Sequence, residues 1–201
     1  MSFRRILKYP DNVLTKKSSP VSDIDEDIKQ LVVDLADTLN VSGGVGLSAP
    51  QIGTHKRVIY VVSDQFTGEM INPSIETLEC LEPMSEGCLS FPGVSVDVPR
   101  YGQITVSYMS VEGEQSTQEL SGLAAQIVQH EIDHLDGVLM IDKLSRLKRS
   151  MALKRLQKVK KTFTTMLDNS LEKPPRRIKV ASHLSKKEKK KRRARRKQNR
   201  Q

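Results

Sequence analysis

The chain of 201 residues is short of apolar side chains, at 37%, where globular domains usually hold about 45–50% on a count that includes glycine. Cysteine is scarcer still. Cys80 and Cys88 are the only two, too few for a disulfide scaffold, and a body of this size has no need of one. A reduced, intracellular setting is expected. No run approaches the ~18 apolar residues that span a bilayer, and the opening MSFRRILKYPDNVL holds no apolar stretch of signal-peptide length. The expectation is a soluble, cytoplasmic protein, and no segment repeats another.

Negative charge is missing from one end only. The net charge is +9, yet residues 146–201 carry 23 Lys and Arg against 3 Asp and Glu, a net +20, while residues 1–145 carry 10 against 21, a net −11. A uniformly basic nucleic-acid-binding domain is thereby excluded. The expected organisation is a catalytic body over residues 1–145, a basic C-terminal helix over 146–172 and a flexible polybasic tail over 173–201. Ser185 to Gln201 has no aliphatic residue except Ala194 and cannot build a core.

Within the body, Ile24, Ile28, Leu31, Val32, Leu35 and Leu39 recur at spacings of three and four, which predicts an amphipathic helix over 24–39 with Ser22 and Asp23 as candidate caps. The glycines and proline of Gly43 to Gly53 disfavour regular structure. Val58 to Val62 reads as a buried strand, and Met70 to Ile75 and Val94 to Val98 as two more, punctuated by Asn72-Pro73 and Pro92-Gly93. Ile104 to Met109 alternates and predicts a hairpin returning near Ser116 to Glu119. Leu123, Ile127, Val128, Ile132 and Leu135 then describe an apolar helix that Gly137 terminates. A basic helix over Leu147 to Leu167 follows, and Pro174-Pro175 stops it. The fold class expected is α+β: short, mostly antiparallel strands around a central helix, with a C-terminal helix and a disordered basic tail.

The apolar helix carries His130-Glu131-Ile132-Asp133-His134, an H-E-x-x-H pentad. Residues four apart share a helix face, so His130 and His134 can present imidazoles to one metal ion. Glu131 is offset by about 100° around the helix, so its carboxylate reaches a water activated at the ion without ligating, the arrangement of a metal hydrolase with Glu as general base. Such a site needs a third protein ligand. The third His of one protease pattern would fall on Met140, and the Glu of another has no candidate between Glu131 and Glu172. The soft ligands that remain are Cys80 and Cys88.

Cys88 lies in Glu86-Gly87-Cys88-Leu89-Ser90, and with Gly44-Val45-Gly46-Leu47-Ser48-Ala49-Pro50-Gln51 and the H-E-x-x-H pentad this segment resembles the three motifs of the peptide deformylases, in the same order and spacing. Fainter echoes run from Ile6-Leu7-Lys8-Tyr9-Pro10 through Ile71-Asn72-Pro73 to Gln129 and Leu135-Asp136-Gly137. The resemblance implies a Cys88, His130, His134 site that holds Fe²⁺ in the cell, with Zn²⁺, Ni²⁺ or Co²⁺ in purified material. A thiolate and two neutral imidazoles leave a divalent ion at +1 overall with one open position. It further implies removal of the formyl group from the N-formyl-methionyl end of a new polypeptide, with release of formate.

In that mechanism Glu131 is the general base, and the Gln51 side-chain amide and Leu89 backbone N–H are donors to the oxyanion. Val45, Gly46, Glu86, Gly87, Leu123 and Ile127 line the substrate site, together with the ring face of His130. Gln126 sits where such pockets are commonly apolar, and Ser48 stands where the first motif more usually has Ala. Arg100 is a candidate partner for Glu86, bracing the Cys88 loop, and Cys80 is expected to pack as an apolar residue. For the basic end, four readings stand: a solvated terminus, ribosomal RNA contact, an anionic membrane contact or a localisation signal. The family's docking to ribosomes favours RNA contact, through phosphates and without base readout. Two rivals for the whole chain are a metalloprotease and a nucleic-acid- or ribosome-binding protein with an inactive metal site. The intact Gln51, Cys88, His130, Glu131 and His134 argue against the second.

Overall fold

The computed structural model describes residues 3–172, with side chains through residue 162; the expected tail over 173–201 lies outside the described residues. The chain divides into two units, Met1–Thr162 and Phe163–Gln201, and the first contains the fold. Three helices, α1 (Glu26–Ser42), α2 (Gly122–Leu135) and α3 (Arg146–Glu172), accompany five strands, β1 (Gly46–Ser48), β2 (Val58–Val62), β3 (Thr67–Gly87), β4 (Ser95–Met109) and β5 (Gln115–Ser121). The strands form one antiparallel sheet in the order β1-β2-β3-β4-β5. The α+β class expected from the sequence is the class observed.

Strand β2 shows why an unbroken apolar run can still be a strand. Successive side chains point to opposite faces, so Ile59 and Val61 join Met70, Ile104, Val106, Leu120 and α2 in one core. Val58 joins Ile71, Leu47 and the α1 residues Leu31, Val32, Leu35 and Leu39 in a second. A third core, built by Leu14, Phe91, Val94, Val98, Met140, Ile141, Ala152 and Leu156, seats the first part of α3 against the turn between β3 and β4.

Helix α1 starts two residues later than expected. Its N-cap is Asp25, whose carboxylate accepts the Ile28 N–H at 2.9 Å, so neither Ser22 nor Asp23 serves; Glu26 and Asp27 then place negative charge at the positive end of the helix. Helix α2 ends at Leu135, and Gly137 turns the chain at φ +74. A Cβ there would lie 2.6 Å from the backbone oxygen of Thr15, so glycine is required for the close approach as well as for the left-handed conformation.

The longest strands were legible only in pieces. Met70 to Ile75 is part of a 21-residue β3, and the expected strands Val94 to Val98, which begins one residue later at Ser95, and Ile104 to Met109 are two parts of one 15-residue β4. Asn72, expected as a turn, sits at φ +51 inside β3, where the register with β4 shifts between Ile71 and Ser74. Its side-chain amide both accepts from Val21 N–H and donates to Val21 O, each at 2.8 Å, which holds the bulge in place. Beyond it, β3 and β4 continue as a two-stranded arm that pairs Leu81 with Tyr101 and Gly87 with Ser95. Cys80 lies on this arm, exposed and at φ +58. The expectation that it packs as an apolar residue is therefore wrong, because this stretch of β3 has no layer covering it.

Candidate active site

The arm delivers Cys88 to the HExxH helix. Gly87 is the last residue of β3 and Ser95 the first of β4, so Cys88 opens the connecting turn. Phe91 N–H bonds to Cys88 O at 2.9 Å, and the Phe91 ring, buried in the third core, stacks on Tyr9 at 5.0 Å. On α2, His130 and His134 lie one turn apart with ring centroids 4.9 Å from each other. One donor atom from each of Cys88, His130 and His134 falls within 4.8 Å of the other two, and Cys88 Sγ is 3.3 Å from His134 Nε2. Helical spacing alone left two cysteines open and the motif resemblance pointed to Cys88; it is Cys88 that lies beside the two histidines.

The donor set fits a soft or borderline divalent cation. His130 Nδ1 is tied to Glu86 Oε2 at 2.9 Å, which leaves Nε2 as its ligating atom in the carboxylate–histidine pattern common around metals. Burial opposes a proton on His130, but Cys88, Glu86 and Glu131 outweigh it and hold its pKa well above the ordinary value; the surroundings favour positive charge. Burial, reinforced by His130 and Arg100, holds His134 well below its ordinary value, so its lone pair stays available. The Oε2 of Glu131 is buried without a hydrogen-bond partner among the described residues. Burial pushes the Glu131 carboxyl up to about 7, a range in which a carboxyl both takes and returns protons near neutrality.

Strand β1 and the 3-10 turn after it, Ala49–Ile52, position the second half of the site. Ser48 donates to Gln51 Oε1 from both its backbone N–H and its hydroxyl, each at 2.9 Å. With Oε1 thus engaged, Gln51 Nε2 is turned toward Ser90 Oγ at 3.2 Å and Cys88 Sγ at 3.6 Å. The serine in place of the usual alanine therefore adds a donor that orients the amide. The backbone N–H of Leu89 has no acceptor among the described residues. Gly46 presses against the base: a Cβ there would lie 2.6 Å from Glu131 Oε1 and 2.7 Å from Ile127 Cγ2. The first motif needs glycine at this position because the HExxH helix is packed against its backbone.

These residues surround a cavity of about 580 Å³. Val45, Gly46, Gln51, Glu86, Gly87, Leu89, Leu123, Ile127, His130 and Glu131, all named from the sequence, line it. Val45 and Leu123 remain 48% and 61% exposed, as apolar walls open to a ligand are. Gln126 also lines it, but its amide nitrogen donates to Ser85 O at 2.9 Å.

Glu86 contributes most through its buried connections. Arg100 Nε pairs with Glu86 Oε1, Arg100 Nη2 reaches Oε2 at 3.1 Å, and Arg100 Nη1 pairs with Asp133 at 2.5 Å. Burial would raise the Glu86 carboxyl, but hydrogen bonds from His130 and Arg100 outweigh it and hold it down to about 2. The guanidinium joins the residue two before Cys88 to Asp133, the residue immediately before His134 on α2. Sequence reading paired Arg100 with Glu86 and missed Asp133; the arginine–glutamate–helix bridge closes only in three dimensions. It also missed Ser90 and Lys8. Lys8 Nζ donates to Leu89 O at 2.5 Å, and Leu7 N–H and Tyr9 N–H donate to Gln51 O and Ser90 O at 2.8 and 3.1 Å, so residues 7–9 tie together the two loops that carry the candidate oxyanion donors.

An α+β sheet wrapped on a helix that supplies two histidines and a glutamate, with a cysteine from a strand turn, defines a metal-dependent hydrolase. The family model for polypeptide deformylase matches residues 3–150, and the chain belongs to that family. It is 40% identical to a peptide deformylase-like protein of Brucella melitensis over 80% of this chain and 100% of that protein. It is 39% identical to a peptide deformylase of Maricaulis maris over 81% and 97%. A solved structure of a peptide deformylase from Legionella pneumophila superposes with a TM-score of 0.76 at 36% identity, covering 86% of this chain and 99% of that one.

Proposed function

We propose that the chain hydrolyses the N-formyl group from the initiator formyl-methionine of nascent polypeptides and releases formate. The observation that carries this reading is the convergence of Cys88, His130 and His134 beside the unpartnered oxygen of Glu131. The ion these three residues would hold supplies Lewis acidity toward the formyl oxygen and toward the attacking water. Glu131 takes the proton of that water as it adds to the formyl carbon and returns a proton to the amine nitrogen as the C–N bond breaks. Gln51 Nε2–H and Leu89 N–H donate to the formyl oxygen as it gains charge. Val45, Leu123 and Ile127 receive the methionine side chain.

The test is formate release from a formyl-Met tripeptide by the metal-loaded protein, with the unformylated peptide as a second substrate. Release of formate with the second peptide left uncut supports the reading, and internal cleavage without formate release replaces it with a protease. Gln51→Leu is expected to lower kcat by about 10²–10³, the usual cost of one oxyanion donor, with an unchanged circular dichroism spectrum; a wild-type kcat would remove Gln51 from the mechanism.

The proposal extends to the ion and the partner. Fe²⁺ is the expected occupant in the cell, tested by metal analysis after anaerobic purification. Ribosomal RNA contact through the basic C-terminal residues is supported by the exposed cations Arg146, Lys148, Arg149, Lys154 and Lys158 on α3, and a cytoplasmic location is consistent with it. No helix among the described residues is long and apolar enough to cross a membrane. Deleting residues 174–201 is expected to weaken co-sedimentation with ribosomes, more at low salt than at high salt, where phosphate contacts are already weakened; binding unchanged at both salt concentrations overturns the contact.

A further inference from the structure

The cavity carries a feature that cleavage of the formyl group does not use. Five ionisable residues besides Cys88 line it: Lys8, Glu86, His130, Glu131 and Arg155. Glu86 is neutralised by Arg100 and His130, and His130 and Glu131 belong to the reacting centre. Lys8 and Arg155 remain, both cationic and exposed, and neither has a carboxylate partner among the described residues. Lys8 Nζ rests on the neutral carbonyl of Leu89.

The position of Arg155 follows from packing. Its neighbours Ala152 and Leu156 are buried in the third core. Val159, one turn further along the same helix face, is so close to the Pro92-Gly93 turn that a Cβ on Gly93 would lie 3.1 Å from it. The helix is thus seated on the connection that also carries Cys88, which places Arg155 on the wall formed by residues 91–95. A guanidinium so placed presents five donors in a planar fork suited to a carboxylate.

We propose that Lys8 and Arg155 form a subsite for a carboxylate carried by the peptide downstream of its formyl-methionine, with Arg155 the specificity-determining residue. The proposal rests on the deformylase reading and deepens it: the favoured substrates are formyl-Met chains with Asp or Glu close behind the initiator. The carboxylate lies away from the reacting atoms, so the preference enters through KM and leaves kcat nearly level.

The experiment compares kcat/KM for formyl-Met peptides bearing Glu, Gln or Lys at the second, third or fourth position, each with an amidated and a free C-terminus. At the best position Glu is expected to exceed Gln by about three- to five-fold, the range of a partly exposed ion pair, and the advantage shrinks in ~0.5 M salt. Arg155→Glu reverses the Glu-to-Lys ratio and Arg155→Lys keeps it above one. Because the readout is a ratio within one protein, a loss of folded enzyme does not mimic it. A free C-terminus that raises kcat/KM over the amide while Glu and Gln stay equal assigns the cations to the terminal carboxylate and overturns the side-chain preference. Turnover of the Gln peptide with a Glu-to-Gln ratio near one at every position and both termini, or a ratio untouched by Arg155→Glu, overturns the subsite alone. Failure to release formate from any peptide overturns the deformylase reading and the subsite with it.

Discussion

Glu131→Gln is expected to lower kcat by about 10²–10⁴, the usual contribution of a positioned general base, with KM little changed and the metal retained. Glutamine matches glutamate in shape, so the close packing of Gly46 against this side chain survives. What disappears is the capacity to accept a proton at Oε2, which is buried with no partner among the described residues. Nor does folding depend on the charge: ionised carboxylates are costly to bury, and an amide removes that cost. The ligand atoms of Cys88, His130 and His134 are untouched, so metal content by elemental analysis and the thermal midpoint are expected to stay at wild-type levels. A wild-type rate of formate release would show that Glu131 is not the base.

Arg100→Met is expected to destabilise the body by about 3–5 kcal/mol, as breaking one side of a buried ion pair does, and to weaken metal retention. Arg100 is 2% exposed and serves carboxylates on two elements, Glu86 at the end of β3 and Asp133 on α2. Asp133 keeps Lys143 at 3.0 Å, whereas Glu86 keeps only the His130 ring, so Glu86 is the buried charge that loses most of its compensation. Adding Glu86→Gln to Arg100→Met is therefore expected to recover part of the lost stability, a coupling that a double-mutant cycle in urea reads directly. Glu86 is held down to about 2 from an ordinary 4.5, so its contribution is fully present above that ordinary value and is lost as pH falls through about 2. An unchanged denaturation midpoint in Arg100→Met would show that the bridge holds nothing together.

Helix α2 was readable because its apolar residues recur at helical spacing and Gly137 ends it, and the histidines on it were readable as ligands because four residues bring two side chains to one face. Strand β2 was readable from five successive β-branched and aromatic residues, which a strand covered on both faces tolerates. The outer stretch of β3 was not readable, because neither of its faces is covered and no alternation is imposed on Thr77 to Ser85. Its pairing with β4 is a matter of partner, and Pro83 opposite Pro99 gives a local reading nothing to hold. For the same reason Asn72-Pro73 looked like a turn and is a bulge held by Val21, 51 residues away.

By itself, the sequence determined the split between an acidic body and a basic end, the α+β class, the two histidines and the glutamate of one helix, and, through three motifs taken together, the candidate residues of the site. These features depend on composition, on helical period or on short contiguous segments. Only the tertiary structure exposed Cys80, joined Arg100 to Asp133 as well as Glu86, tied residues 7–9 to both loops bearing the candidate oxyanion donors, and brought Arg155 to the rim of the cavity. Each of these depends on groups distant in the chain and adjacent in space. Such adjacency is set by which faces bury against one another, and that is decided when the three cores close.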